Sequence, residues 1–206
     1  MIDKELCASV AYFMKRSYDR GLTTSTGGNI SCRDGSIMLI TPSGKDKASL
    51  SADDIAAVDI ETGRNLTPDK KLSIETGMHR SIYLARPDAC AVVHSHPVFC
   101  CLYSALDEEI DTALIAESWY LLDRCVKVPY QRMGSEELAS AVAEYSRTHD
   151  AMLLENHGAI AVGKSLLNAF DRLECLEQSA KLTWLSRDMK RNDLDPGRRA
   201  GIAEMR

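Results

Sequence analysis

The feature that most constrains the fold is the run Ala91-Val92-Val93-His94-Ser95-His96-Pro97, in which an apolar segment leads into two histidines. The apolar residues predict a β-strand, and side chains on a strand alternate between its two faces. His94 and His96 are spaced i, i+2, so they lie on one face, and Pro97 ends the strand. Two neutral imidazoles on one face are typical of half of a divalent-metal site.

Length and composition predict one globular domain over residues 1–206. A chain of 206 residues suffices for one well-buried core and is short for two. Its 45% hydrophobic and 27% charged residues are typical of an ordinary globular protein. No apolar stretch reaches the ~18 residues of a membrane span, so we expect no membrane partner. The net charge of -5 indicates no nucleic-acid partner, although local donors can still bind a small anion.

The cysteines predict a reducing compartment. Their number, 7, is odd, no CxxC pair occurs, and residues 1–20 show no signal-peptide pattern. Reduced thiols and a cytoplasmic location follow from this pattern. Cys100 and Cys101 follow the histidines closely and are alternative metal ligands, but adjacent residues on regular structure point in different directions. We therefore favour the histidines as ligands.

Apolar periodicity and turn residues predict an alternation of helices and strands. Helices are predicted at residues 3–20, from the cap region at 73–76 to about 85, at 98–106, at 117–122, from the Gly134-Ser135 cap through 145, and at 166–189. Strands are predicted at 30–33, 36–41, 56–60, 89–96, 125–128, 151–154 and 159–162, with Asp34-Gly35 as the turn of the first hairpin. The polar stretch 191–206, broken by Pro196-Gly197, predicts a mobile tail from about residue 190.

Two donor-rich turns predict a binding site for a small anion. The first, Thr23-Thr24-Ser25-Thr26-Gly27-Gly28-Asn29-Ile30-Ser31, combines side-chain donors with glycines that let backbone N–H groups approach a ligand. The second, Thr41-Pro42-Ser43-Gly44-Lys45, ends the second strand of the predicted hairpin. The alternative is a flexible surface loop. A Walker A loop is excluded, because its lysine and spacing are absent.

Two further residues are candidates for the same site. His157 ends a predicted strand and precedes Gly158, so with His94 and His96 it completes a three-imidazole site with an open fourth position. Glu75 lies in the first turn of a predicted helix, where its simplest role is to complement the helix dipole. We expect His79, one turn later, to be a structural or surface histidine.

This combination predicts chemistry on a phosphorylated ketose. An open metal position polarises a carbonyl or hydroxyl oxygen and stabilises an enediolate. A neighbouring carboxylate acts as a base, and the donor-rich turns hold the phosphate. Neither a Ser/His/Asp nucleophile motif nor H-E-x-x-H is present to indicate hydrolysis.

The chain is similar to the class II aldolase/adducin family from about residue 5 to 185. The motifs that carry this resemblance are Thr26-Gly27-Gly28-Asn29-Ile30-Ser31, Thr41-Pro42-Ser43-Gly44, Ser73-Ile74-Glu75, Val92-Val93-His94-Ser95-His96 and Glu155-Asn156-His157-Gly158. The resemblance implies an α/β fold, a three-layer α/β/α sandwich around a mostly antiparallel sheet. It also implies a cyclic homotetramer with each active site at a subunit interface.

The resemblance further implies a role for each matched residue. His94, His96 and His157 look like zinc ligands, with Mn²⁺ or Co²⁺ as alternative ions. Glu75 matches a carboxylate that ligates the resting metal or swings away to act as general acid and base. The phosphate-binding positions are matched by Thr26, Asn29, Ser43, Gly44 and Ser73.

The chain departs from the aldolase pattern in three places. Ile74 stands where the second serine of a Ser-Ser-Glu motif is expected, so one phosphate contact is lost or supplied elsewhere. The tyrosine that a neighbouring aldolase subunit contributes aligns near Ile115, close to Trp119 and Tyr120. No tyrosine follows Tyr145 to match the C-terminal one, so the proton donor is not identified.

The leading hypothesis is a zinc-dependent aldehyde-lyase that cleaves a ketose 1-phosphate resembling L-fuculose 1-phosphate. Its products would be dihydroxyacetone phosphate and an aldehyde. A sugar-phosphate 4-epimerase, a 3-oxo-acid-phosphate decarboxylase and a methylthioribulose-phosphate dehydratase remain alternatives, because all of them use an enediolate at the metal. An adducin-head-like interaction module without catalysis is the alternative from another class.

Overall fold

The strands of the chain pair into one seven-stranded sheet. A computed structural model describes residues 2–206, and its strands are β1 (Asn29–Asp34), β2 (Ile37–Ile40), β3 (Ala56–Asp59), β4 (Ala91–Ser95), β5 (Val126–Val128), β6 (Ala151–Leu154) and β7 (Gly158–Gly163). Their spatial order is β3-β2-β1-β4-β7-β6-β5. All neighbours are antiparallel except β5 and β6. The predicted, mostly antiparallel sheet is confirmed.

Helices cover both faces of the sheet. They are α1 (Lys4–Asp19), α2 (Thr76–Ala85), α3 (Val98–Ala105), α4 (Ala116–Leu122), α5 (Glu136–Ser146), α6 (Leu166–Ser186) and α7 (Pro196–Ala203), with short 3₁₀ turns at Ala52–Asp54 and Thr112–Leu114. Alternate residues of β4 enter different cores: Val92 packs with residues of α2 and α5, and Ala91 and Val93 pack with residues of α1, α3 and α6. This alternation builds three layers, which confirms the predicted α/β/α sandwich.

Side-chain caps fix where several helices begin. Asp3 accepts hydrogen bonds from the backbone N–H groups of Glu5 and Leu6 at the start of α1. Ser135 and Ser165 each accept one from the third residue of the helix that follows. These caps satisfy N–H groups that have no partner within their helix, so the predicted helix starts at these caps are close to those observed.

The predicted turn of the first hairpin is wrong by one residue. Asp34 pairs with Ile37 across the hairpin, so the two-residue loop is Gly35-Ser36 and not Asp34-Gly35. Gly35 has φ 58°, the left-handed conformation that tight hairpin turns require. This requirement places the glycine first in the loop and keeps Asp34 in the strand.

The C-terminal segment, predicted as a mobile tail broken by Pro196-Gly197, contains a helix at the predicted break. Pro196 does not break regular structure; it begins α7, at a position where a missing N–H costs nothing, and Asp195 caps that helix. The indole Nε1 of Trp119 donates to the carbonyl of Arg199, and Arg206 donates to the carbonyl of Tyr120. These contacts join α7 to α4.

The observed ends of β4 and α6 differ from the predicted ends. β4 ends at Ser95 and not at residue 96, so His96 lies just beyond the sheet. α6 ends at Ser186 and not at residue 189.

Within residues 2–206, no helix is both long enough and apolar enough to cross a bilayer.

Gly163, at the end of β7, is a test of the packing between β7 and α6. A Cβ at this position would lie 2.4 Å from the backbone nitrogen of Ala169 in α6. We expect Gly163→Ala to lower the free energy of unfolding by about 1–3 kcal/mol, because backbone atoms on both sides must move. Gly201→Ala in α7 is the control: its Cβ meets nothing within 4 Å, so the protein should be slightly stabilised or unchanged. Equal denaturant midpoints for the two variants would contradict this packing.

Candidate metal centre

Three histidines converge at one end of the central strands. The antiparallel pairing of β4 with β7 sets Ser95 opposite Ala159, which brings the end of β4 beside the turn that precedes β7. That turn carries His157, and one ring nitrogen from each of His94, His96 and His157 lies within 4.8 Å of the others. The predicted set is therefore together in space, and this geometry suits one divalent ion.

The turn that carries His157 depends on special backbone positions. Asn156 has φ 54° and donates its backbone N–H to the carbonyl of Ser104, 3.0 Å away. A Cβ on Gly158 would lie 2.6 Å from the Ser95 carbonyl and 2.7 Å from Cδ2 of His96. Only glycine lets β7 approach this closely, so Gly158 makes room for the His96 ring.

Ser95 anchors the histidine pair from the opposite face of β4. Its hydroxyl donates to the carbonyl of Leu22 at 2.9 Å and lies 3.1 Å from the hydroxyl of Ser17 in α1. The same Leu22 carbonyl accepts the backbone N–H of His96 at 3.1 Å. These bonds hold the chain at Ser95 and His96, so they fix the position from which the His96 imidazole projects.

Hydrogen bonding determines which nitrogen of His94 faces the site. Its Nδ1 donates to the carbonyl of Ala159 at 3.0 Å, so the lone pair is left on Nε2. That Nε2 lies 3.3 Å from one carboxylate oxygen of Glu75, and Nε2 of His157 lies 3.3 Å from the other. Glu75 therefore closes the space that the histidines surround.

Buried atoms without hydrogen-bond partners show that this space fits a cation. Among residues 2–206, Nε2 of His94, Nε2 of His157 and Oε1 of Glu75 are buried and have no partner of their own. When His94 is neutral, its Nε2 lone pair faces the Glu75 carboxylate, an arrangement that is repulsive unless a proton or a metal ion lies between them. Imidazole nitrogens with one carboxylate are a donor set that suits Zn²⁺.

The ionisation of these groups favours metal binding near neutral pH. Burial and the neighbouring His94 lower the pKa of His96 to about 3 and that of His157 to about 4, so both rings present free lone pairs. Burial opposes the charged forms of Glu75 and His94, but their mutual attraction outweighs it. The pKa of Glu75 is therefore held well below its usual value and that of His94 is raised.

Glu75 is positioned by the start of α2 and by β1. It is the residue that immediately precedes α2, and its side chain is only 4% exposed, so it turns inward and does not cap the helix in solvent. The amide nitrogen of Asn29 donates to Oε2 of Glu75 at 2.7 Å and to the hydroxyl of Ser73 at 3.1 Å. Both hydrogens of this amide are therefore engaged, and a phosphate would have to share them.

His79 is structural, as expected, and it is not on the surface. The ring is fully buried, with Nε2 2.5 Å from Oδ1 of Asn29 and Nδ1 2.7 Å from the hydroxyl of Ser31. Burial, together with His94, lowers its pKa to about 3, so the ring is neutral. The spacing of Glu75 and His79, i and i+4 on one helix face, was the available signal that these residues share a neighbourhood.

The three segments with predicted phosphate-binding positions are joined by hydrogen bonds. The backbone N–H of Ser43 donates to the carbonyl of Lys71 at 3.0 Å, and Asn29 contacts Ser73 at 3.1 Å. Thr26 and Gly44 are exposed, and Ser43 and Ser73 are half-buried. Within residues 2–206 no acceptor takes the hydroxyl hydrogen of Ser73, which remains available to a ligand.

Lys47 is a residue that sequence patterns did not single out. It is 1% exposed, and its Nζ donates to the carbonyl of Pro42 at 2.9 Å, while its backbone N–H donates to the carbonyl of Ser25 at 2.9 Å. Burial lowers the pKa of its ammonium group. Lys47 thereby ties the second donor-rich turn to the first, a role with no signal in the local sequence.

The remaining candidates do not join the histidine cluster. Cys101 contacts the carbonyl of His157 at 3.7 Å through its thiol, and within residues 2–206 the ligand cluster includes neither this cysteine nor Cys100. Ile115 is 42% exposed, and Trp119 is engaged with the carbonyl of Arg199. The position that would supply a proton donor is therefore still unassigned.

Comparison with known proteins identifies relatives over most of the chain. Residues 8–184 match the family model for the Class II Aldolase and Adducin N-terminal domain. The L-fuculose phosphate aldolase of Methanococcus maripaludis is 35% identical over 173 residues, covering 84% of this chain and 93% of that protein. The 3-oxo-tetronate 4-phosphate decarboxylase of Haemophilus influenzae is 35% identical over 170 residues, covering 80% of both chains. A solved structure of L-fuculose 1-phosphate aldolase has a TM-score of 0.91 at 29% identity, covering 100% of this chain and 97% of that one.

The ionisation pattern predicts how many protons a metal ion displaces. Calorimetric titration of Zn²⁺ into metal-free protein near neutral pH, in buffers of different ionisation enthalpy, should show release of at most about one proton per ion. That proton comes from His94, whose pKa is raised, while His96 and His157 are already neutral. The released fraction should grow as the pH falls, because more His94 is then protonated.

The control for this titration is a histidine far from the site. His149→Gln should leave the proton count unchanged, since this ring lies after α5 and contacts Thr148 and Tyr145. Release of about two or more protons per ion would mean that His96 and His157 are charged in the metal-free protein, contrary to the assignment.

Proposed function

The chain belongs to the class II aldolase and adducin N-terminal domain family, and we propose that it is a zinc-dependent lyase acting on a ketose 1-phosphate. The products are dihydroxyacetone phosphate and an aldehyde. Relatives named L-fuculose phosphate aldolase, 35% identical over 84% of this chain, support the reaction class. The same proposal includes a homotetramer and a cytoplasmic location.

The observation that carries this proposal is the set of unpartnered atoms at the histidine cluster. Nε2 of His94, Nε2 of His157 and Oε1 of Glu75 are buried and face one space. A purely structural cluster would satisfy these atoms with one another or with the backbone, as His79 does. An interaction module would have no need for such a set.

Each residue of the site has a chemical task in this proposal. His94, His96 and His157 would hold the divalent ion, which when bound polarises the substrate's carbonyl and hydroxyl oxygens and stabilises developing negative charge. Glu75, beside two of these ligands, would take the proton of the substrate's C4 hydroxyl as the C3–C4 bond breaks and the aldehyde forms. It would then return that proton to C3, which completes dihydroxyacetone phosphate. Burial of the site excludes water, which protects a carbanion-like species from unwanted protonation.

The donor-rich segments hold the phosphate in this proposal. The free hydroxyl hydrogen of Ser73 and the exposed hydroxyl of Thr26 provide donors, and Ser43 and Gly44 complete the set. Asn29 sits between this set and the metal centre, with its amide on Glu75 and Ser73. Anchoring the phosphate there would fix the reacting carbons of the substrate over the histidine cluster.

A decarboxylase acting on a phosphorylated 3-oxo acid is the second candidate. It is favoured by relatives named 3-oxo-tetronate 4-phosphate decarboxylase, 35% identical over 80% of this chain. Ile74 also favours it, because its exposed hydrocarbon replaces the hydroxyl expected beside Glu75 in an aldolase. Both reactions need the same metal centre, so only the products distinguish them.

Product analysis tests the reaction directly. Zinc-loaded protein is incubated with a panel of ketose 1-phosphates, ketose 5-phosphates and 3-oxo-acid phosphates, and dihydroxyacetone phosphate, epimers and CO₂ are measured. We expect dihydroxyacetone phosphate from a ketose 1-phosphate. Glu75→Gln, with retained zinc verified by metal analysis, should lower kcat by about 10²–10⁴-fold.

Each of the other outcomes of the product analysis would support a different conclusion. Release of CO₂ alone would replace the aldolase by the decarboxylase, and epimer formation would replace it by the epimerase. Unimpaired turnover by zinc-loaded Glu75→Gln would remove the acid–base role of this residue. Absence of both turnover and tightly bound metal would favour the adducin-like interaction module.

Ile74 provides a test of the phosphate site. Ile74→Ser adds a hydroxyl next to Ser73 and should lower KM for the ketose 1-phosphate up to about tenfold, the effect of one hydrogen bond to a charged group. Ile74→Ala is the matched control, because it removes the same exposed hydrocarbon without adding a donor. Equal KM values for the two variants would place the phosphate away from this position.

A further inference from the structure

A chain of hydrogen bonds runs from Glu75 into the protein interior. Oε2 of Glu75 contacts the Asn29 amide nitrogen at 2.7 Å, and Oδ1 of the same amide contacts Nε2 of His79 at 2.5 Å. Nδ1 of His79 contacts the hydroxyl of Ser31 at 2.7 Å, and that hydroxyl contacts the phenol of Tyr83 at 2.9 Å. Every side chain in this series is buried.

The Glu75 end of this series determines which group donates and which accepts in each hydrogen bond. Glu75 is a carboxylate and can only accept, so the Asn29 amide must present its nitrogen to Glu75 and its oxygen to His79. His79 must then donate through Nε2 and accept at Nδ1. Consequently Ser31 donates to His79 and accepts the phenolic hydrogen of Tyr83.

We propose that His79 is a positioning residue that, as the Nε2-protonated tautomer, holds the Asn29 amide in the single orientation that supports the Glu75 carboxylate. This proposal rests on the catalytic role proposed for Glu75. His79 touches neither the metal nor the substrate; its effect passes through Asn29.

The energetic reason is the asymmetry of an amide. If Asn29 turned over, its oxygen would face the Glu75 carboxylate and the Ser73 hydroxyl, and its nitrogen would face the protonated Nε2 of His79. Two acceptors would then meet at one contact and two donors at the other, in a buried site where water cannot separate them. The 2.5 Å contact to His79 therefore selects the working orientation of Asn29.

The Glu75 carboxylate needs this support because its other contacts are not directional. Its neighbours on the metal side, Nε2 of His94 and Nε2 of His157, lie 3.3 Å away and do not fix its rotation. The Asn29 amide is the one hydrogen-bond donor that the carboxylate has among residues 2–206. Losing the amide's orientation should therefore slow proton transfer, while the phosphate-binding positions other than Asn29 still hold the substrate.

The tautomer can be measured without any variant and without turnover. The metal-free protein is labelled with ¹⁵N-histidine, and the ring nitrogens of His79 are assigned by their loss in His79→Gln. We expect Nε2 to carry a slowly exchanging hydrogen and Nδ1 to carry none. His94, whose Nδ1 donates to the carbonyl of Ala159, supplies an internal reference for a ring nitrogen Nδ1 that carries a hydrogen. A hydrogen on Nδ1 of His79 would overturn the proposal.

Kinetics of zinc-loaded variants test the effect on Glu75. His79→Leu should lower kcat about 10–100-fold with KM nearly unchanged and zinc content retained. His79→Gln, whose amide can still donate to Asn29, should recover most of kcat. Ile82→Ala is the control, since Ile82 is a fully buried residue of the same helix that belongs to the apolar core between α2 and the sheet.

The outcomes separate this proposal from the proposed function. If the wild-type protein turns over none of the panel, the proposed function fails, while the ¹⁵N measurement still decides the tautomer. If Ile82→Ala loses kcat as His79→Leu does, or if glutamine rescues nothing, His79 contributes only to general stability and the proposal is wrong. A rise in KM at constant kcat would equally contradict it.

Discussion

The antiparallel pairing of β4 with β7 is the interaction on which the site depends. It sets Ser95 opposite Ala159, so the histidines at the end of β4 meet the turn that carries His157. A slip of one residue would turn His94 toward the face where Ser95 now contacts α1. Both faces of β4 are buried in apolar cores, so such a slip would also move each apolar side chain of the strand into the opposite core, where its packing contacts are lost. The position of the histidines is therefore a consequence of strand register, which the cores enforce.

The contacts within the site destabilise the folded protein, and the residues around the site offset this destabilisation. In the neutral ring of His94 the buried Nε2 lone pair faces the Glu75 carboxylate at 3.3 Å, an arrangement that contributes no hydrogen bond. Nε2 of His157, also 3.3 Å from that carboxylate, has no hydrogen-bond partner either. Rigid neighbours hold these groups in place: the Ala159 carbonyl orients His94, and the Asn29 amide orients Glu75. The buried polar groups of this site find no hydrogen-bond partners among themselves. Such a site suits a cation, because only a positive charge interacts favourably with all of these groups at once.

Sequence patterns correctly predicted the features that depend only on residues close together in the chain. Strand alternation placed His94 and His96 on one face, and caps such as Ser135 gave a helix start close to the observed one. The resemblance supplied the layered fold. His157 was a candidate because it ends a predicted strand, as the histidine pair does, and the resemblance supported that assignment. Its proximity to His94 requires β7 to lie beside β4, a non-local pairing that no spacing in the chain reveals.

What local patterns missed depends on packing between elements. The contact of Asn29 with Glu75 needs β1 and α2 to face each other, and the inward turn of Glu75 contradicts its simplest local role at a helix start. Lys47 is the same case: a lysine in a polar loop is ordinarily exposed, yet here it is 1% exposed and donates to the carbonyl of Pro42. Pro196 was misread because the same residue that breaks a helix interior is favoured at its first position.

The division between buried and exposed residues explains why the metal centre is better defined than the reaction. His94, Glu75 and Asn29 are almost fully buried, and each is held by contacts that a substitution would disturb throughout the site. Ile74, in contrast, is 58% exposed beside Glu75, so it can change with little effect on the fold. Relatives of this chain are named for two different reactions. A buried centre that polarises oxygen would serve both of these reactions. Exposed positions of this kind, which do not support the core, are therefore where relatives with the same centre can differ in the reaction.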